Sequence, residues 1–166
     1  MHPVFMTIGN IQSDIRMQAT SHAWRCVAFI PTPTFDIHPD YQTLLISRVF
    51  HQCMDIIFES LKGCALNGSR MTDALGYICS CYTPLVAYIA DLLEQQLITC
   101  VAKNASPVTT VTLAQFGDST PHPPCTGSST LKLIEDLCRE VNPWNIVSFQ
   151  KKAKALKLLV SGIQPR

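Results

Sequence analysis

A long run of helical periodicity set between two β-type regions restricts this chain to a mixed α/β fold. From Tyr41 to Leu61 the apolar residues Leu45, Val49, Cys53 and Ile56 recur three or four apart, joined by Leu44, Ile57 and Phe58. That spacing predicts a helix with one buried face. Pro39 just before the run and Gly63 just after it match the usual asymmetry of helix ends. Ahead of the helix, Val4 to Ile8 reads as a strand broken by Gly9-Asn10, and Ile11 to Arg16 as one helical turn. Trp24 to Ile30 reads as a second strand, stopped by Pro31 and Pro33. Behind it, Asn67-Gly68 and Gly76 punctuate a hairpin with arms near Arg70 to Thr72 and Tyr77 to Cys81.

The next element carries the first candidate site residue. Pro84 to Ala90 is short, uncharged and partly β-branched, which predicts a buried strand. Asp91 then stands at the carboxyl end of that strand, where open α/β sheets place their chemistry. Leu92 to Cys100 continues as a helix with Glu94 in its first turn, where an acid is favoured by the helix dipole. A second reading makes Asp91 simply the cap of that helix.

From Ser106 to Ser129 the chain is rich in Pro, Ser, Thr and Gly, and Pro121-His122-Pro123-Pro124 cannot be helix interior. Two amphipathic helices follow. Ser129 or Thr130 can cap the first, with a stripe of Leu131, Ile134, Leu137 or Cys138, and Val141. Asn145 can cap the second, with Ile146, Phe149, Ala153, Leu156 and Val160. The expected organisation is a core over residues 1–105, a linker over 106–128 and a helical pair over 129–161.

Composition excludes several classes. The chain has 166 residues, a net charge of +1 and 15% charged residues. A soluble domain ordinarily has about a quarter of its residues charged. No electrostatic groove for nucleic acid is announced, and no stretch approaches the roughly 18 apolar residues of a membrane span. The amino terminus lacks a basic region followed by a long apolar core, so an intracellular chain that is not secreted is expected. Its eight cysteines are then expected as reduced thiols.

Several blocks, taken in order, resemble the fungal Plavaka-type transposases, which are grouped with the CACTA superfamily. Pro3-Val4-Phe5-Met6-Thr7-Ile8-Gly9-Asn10-Ile11, with Asp14-Ile15-Arg16, is similar to their P-V-Y-x-T-I-G-N-I-x-x-x-I-R block. Trp24 to Pro31 resembles the following strand, and Leu85 to Gln95 resembles the A-x-Y-x-A-D-x-P-E-Q signature. Cys100 to Pro107, Gln115-Phe116-Gly117-Asp118 with Pro121-His122-Pro123-Pro124, Val141-Asn142-Pro143-Trp144 and Phe149 to Leu156 also resemble that family's downstream sequence.

The resemblance implies a ribonuclease-H-like DDE enzyme acting on DNA with Mg or Mn, in the nucleus if functional. Such chemistry needs clustered carboxylates, because two cations activate the nucleophile and stabilise the leaving oxygen. On this reading the fold is an incomplete ribonuclease-H-like core, comprising strands 2–4 and the first helix, with a C-terminal helical extension. Asp91 is the candidate remnant carboxylate and ancestral metal ligand, and Glu94 a weaker candidate. The first catalytic acid is expected on a strand before Val4 and the last beyond Arg166, while Leu93 replaces the family's proline. A fragment or decayed relative without catalysis follows, with possible self-association through uncovered apolar surface.

Two other readings stand beside it. One is a non-catalytic interaction module whose closing helices bind a partner. The other is a small zinc-binding fold using Cys79 and Cys81, which share a strand face, with Cys100 and the His122-x-x-Cys125 pair. Yet structural zinc ordinarily takes four ligands. His51 and Cys53 lie two apart on the long helix and share no face. No phosphate loop, dinucleotide loop or nucleophile elbow is present. Lys151, Lys152, Lys154 and Lys157 give the last helix a basic face, fit for DNA phosphates or for plain solvation.

Overall fold

The computed structural model describes residues 1–159 of the chain. It is mixed α/β, with two separate two-stranded antiparallel sheets and five α-helices among the described residues. The chain divides into two compact units. One joins Met1–Pro33 to Gln52–Ile89, and the other joins Thr34–His51 to the chain from Ala90 onward.

In the first unit, strand β1 (His2–Met6) pairs antiparallel with β2 (Arg25–Ile30), His2 opposite Ile30 and Met6 opposite Arg25, with a register shift between Val4 and Phe5. The short helix α1 (Ser13–Arg16) lies between them in sequence. Helix α2 (Pro39–Asn67), which belongs to the second unit up to His51 and to the first from Gln52, is the expected long helix but runs on through Gly63. Glycine weakens a helix interior by only about 1 kcal/mol, which a long helix absorbs. Its buried positions are Leu44 and Ser47, whose hydroxyl bonds Thr43 O at 3.0 Å, whereas Ile56 of the expected stripe is exposed. The hairpin forms as read, β3 (Ser69–Thr72) against β4 (Ile78–Cys81). Gly68 and Gly76 both take positive φ there, 73° and 89°, a conformation glycine enters without steric cost.

Residues 84–90 correct the sequence reading: they form no strand. A buried strand needs a neighbouring strand for its backbone and a sheet face for its side chains. This segment lacks both, and Val86 and Ile89 are 87% and 86% exposed. The first unit as a whole has little interior. Among its described residues Ile30 is the one buried hydrophobic side chain, and residues 71–80 are exposed throughout. A two-stranded hairpin without a covered face is marginal in water.

The second unit holds the core. Helix α3 (Leu92–Ile98) is followed by α4 (Gly127–Glu140) and α5 (Ile146–Ala155). Leu137, Phe149, Ala153 and Leu158 form a buried cluster, packed by Ile134, Cys138 and Val141. The expected stripes therefore hold at their inner positions, while Leu131 and Leu156 remain exposed. Val160 lies outside the described residues. The cap of α4 is one turn earlier than read. Thr126 Oγ1 accepts from Ser129 N at 3.1 Å and Ser129 Oγ accepts from Thr126 N at 3.2 Å, a reciprocal capping box. Ser129 is thus the third helical residue, bonded back to the cap. Asn145 caps α5 as expected, its Oδ1 accepting from Ser148 N.

Helices α3 and α5 end in the same way. Cys100 (φ 56°) and Lys157 (φ 58°) each turn left-handed just past the helix. Val101 N then bonds Gln96 O and Cys100 N bonds Leu97 O, while Leu158 N bonds Ala153 O and Lys157 N bonds Lys154 O. Both are Schellman motifs, in which orphan carbonyls of the last turn are satisfied by the departing chain. The residues that leave the two helices, Val101 and Leu158, pair in an antiparallel bridge and are both buried.

The Ser/Thr/Pro stretch before α4 is internally bonded. Thr110 N bonds Pro123 O and Cys125 N bonds Val108 O, around a bridge between Thr109 and Pro124.

Candidate functional site

Asp91 takes up the position of a helix cap. Its backbone is extended (φ −68°, ψ 169°) and its Oδ1 accepts from Glu94 N at 2.8 Å. This satisfies one of the first-turn N–H groups that a helix leaves open. Glu94 sits half-buried in the first turn of α3. With no strand over residues 84–90, the sheet edge that was to present Asp91 is missing.

Two glutamines that sequence reasoning passed over tie this block together. Gln95 Nε2 donates to Ala90 O at 2.7 Å, closing the chain over Asp91 from the other side. Gln96 is buried, and its Nε2 donates to Lys103 O at 3.0 Å and Ala105 O at 3.1 Å. Its Oε1 is buried without a partner among the described residues. A glutamine in a helix gives no pattern-level signal of either role, since all three bonds go to irregular backbone.

The other candidates form no ligand group of three or more among the described residues. Cys79 and Cys81 stand two residues apart on β4, and all eight cysteines are free. Burial pushes the thiols of Cys100 and Cys138 above their ordinary pKa, which disfavours the thiolate that binds metal. Asp118 Oδ2 lies 3.1 Å from His122 Nε2 in the Pro-rich loop, so His122 finds a carboxylate rather than Cys125. His51 and Cys53 both lie on α2, half-buried. On α5, Lys152 pairs with Glu140, while Lys151 and Lys154 are exposed; the basic face is therefore split.

A family model described as Plavaka transposase matches residues 1–165. The chain belongs to the Plavaka transposase family. The Plavaka match runs through the Asp91 block, the Asp118–His122 loop and the closing helices alike. No curated protein and no solved structure matches the chain. Among the described residues no helix is long and apolar enough to cross a membrane.

A two-cation centre in a Plavaka protein would demand several carboxylates converging on one point. Among the described residues no group of three or more His, Cys, Asp or Glu side chains could hold a metal ion. Of the two candidate carboxylates, Asp91 spends an oxygen on the Glu94 amide. The described residues do not fit a two-metal centre, nor a four-ligand zinc site.

Proposed function

We propose that this Plavaka-family chain associates with DNA in the nucleus and does not cut it alone. The DNA part rests on the family match over residues 1–165, and the observation that supports the non-cleaving part is the use of Asp91. In the block resembling the family signature, its carboxylate caps α3, and among the described residues no group of three or more His, Cys, Asp or Glu could hold a metal ion. The ribonuclease-H-like ancestry is part of the same reading. It is supported by the order of the antiparallel pair β1–β2 followed by the long helix α2, and it treats Asp91 as a remnant carboxylate kept for its capping bond.

The test is to incubate the purified chain with supercoiled plasmid and with linear DNA, with Mg²⁺ or Mn²⁺ added. Retarded DNA without nicking is the expected result. Metal-dependent nicking that Asp91→Asn abolishes would overturn the non-cleaving part, because asparagine keeps the cap and removes the ligand charge. Absence of any DNA retention at low salt would overturn the DNA part.

A further inference from the structure

The exposed face of α5 combines features that its lysines alone do not. From Val141 to Arg166 the sequence has no acidic residue, and Lys151, Lys152, Lys154, Lys157 and Arg166 are its cations. The whole chain carries only +1, so positive charge is concentrated at this end. Val147, Lys151 and Lys154 follow at i, i+4 and i+7, along one line of the helix. Trp144 stands three residues ahead of Val147, just before the Asn145 cap. Its backbone N–H is held by Asn142 Oδ1 at 3.0 Å.

A residue at that place usually staples onto the fourth helical residue, here Phe149. Phe149 is buried, yet Trp144 is 73% exposed and Val147 79%. The indole is thus presented to solvent at a fixed backbone position, which costs exposed apolar area and contributes nothing to the core. Lys151 and Lys154 form no ion pair with a described residue, whereas Lys152, on a neighbouring face, is taken by Glu140.

We infer that Trp144, Val147, Lys151 and Lys154 form a contact stripe for single-stranded DNA, an inference that rests on the DNA reading above. An unpaired base stacks on the Trp144 indole, with Val147 extending the apolar platform. Lys151 and Lys154 meet the phosphates that follow. Charge complementarity selects a polyanion, and the open aromatic face selects unpaired bases over a duplex, whose bases are already stacked.

The experiment uses the full chain with Trp24→Phe, leaving Trp144 as the fluorophore, titrated with oligothymidylate and with a duplex of equal length. Expected is quenching by the single strand that weakens as salt is raised. Removal of each lysine (Lys151→Gln, Lys154→Gln) should reduce the salt slope by about 0.7. Trp144→Ala should weaken binding roughly 5- to 150-fold while the thermal unfolding midpoint stays in place. Unchanged emission at saturating single strand overturns the inference, as does equal quenching by the duplex. Tighter binding to anionic lipid vesicles than to DNA overturns it in favour of a membrane surface. If the intact chain retains DNA and the stripe variants retain it equally, the stripe is wrong and the DNA reading survives. If the unaltered chain retains no DNA, the reading itself has failed.

Discussion

Cys100 and Lys157 hold the same left-handed conformation at the same position of two helices, and each offers its carbonyl to the chain leaving the other. Lys157 O accepts from Ala102 N at 2.9 Å and Cys100 O accepts from Leu159 N at 2.7 Å. Neither residue is a glycine, the type that enters this region without a clash between Cβ and carbonyl. Lys157→Gly is therefore expected to stabilise the second unit by about 0.5–1 kcal/mol, the relieved strain less glycine's extra freedom when unfolded. Lys157→Val should be destabilising. Urea unfolding followed by Trp144 emission measures both.

Asp91 separates capping from chemistry. Asp91→Ala is expected to cost about 1 kcal/mol and to fray α3, whereas Asp91→Asn should be near neutral. Amide exchange at Glu94, whose N–H is the bonded donor, gives the reading. Equal protection of that amide in all three proteins would show that the cap is not what holds the turn.

Two half-buried thiols set a pH dependence. Burial raises the pKa of Cys100 and Cys138, so the folded state prefers them protonated. Their contribution is complete below the ordinary thiol pKa of about 8.5 and is lost as pH rises through the higher folded values. The urea midpoint should fall between neutral pH and roughly pH 10 more steeply in the unaltered chain than in Cys100→Ala with Cys138→Ala. Parallel pH profiles would remove the thiols as the cause.

Core and surface positions should respond very differently. Leu137, fully buried between α4 and α5, should cost about 2–5 kcal/mol on truncation to alanine. Ile89→Ala, at a position left in solvent, should stay within about 0.5 kcal/mol. Thermal unfolding of the two variants decides this directly.

The thin interior of the first unit leads to a further expectation. Backbone amides of β1, β2, β3 and β4 should exchange far faster than those of α4 and α5, because few apolar groups cover them. The exposed run through Leu85, Val86 and Ile89 should bind a hydrophobic dye and draw chains together as concentration rises. A monodisperse monomer unfolding in one cooperative step, with uniform exchange protection, would refute this.

Where periodicity and turn chemistry agreed, the sequence was readable. The helix around Leu44 and Val49, the Gly68–Gly76 hairpin, the Asn145 cap and the inner stripe of Leu137, Phe149 and Ala153 are all local patterns. Residues 84–90 depart from the strand expected of them because a short apolar run specifies burial without specifying what covers it. The Thr126 cap was placed too late because several hydroxyl residues stood in succession. The ends of α3 and α5 gave no signal at all, since cysteine and lysine occupy positions where glycine is the usual marker. At the candidate site, Asp91 stands out as the acid ending an apolar run read as a strand, and the capping bond that the structure shows is the second of the two readings. Gln95 and Gln96 escaped notice because their partners are carbonyls of irregular backbone.

The bridge between Val101 and Leu158 also sets an order of events during synthesis. Helix α3 leaves the ribosome before α5, so the Ala102 amide waits for Lys157 and the Cys100 carbonyl for Leu159. The segment resembling the family signature is translated before α5, and its last hydrogen bonds form only once residues 157 to 159 have been made. A chain halted before α5 would therefore display Asp91 on a helix whose far end keeps its Schellman and Gln96 bonds but lacks the pairing with Lys157 and Leu159.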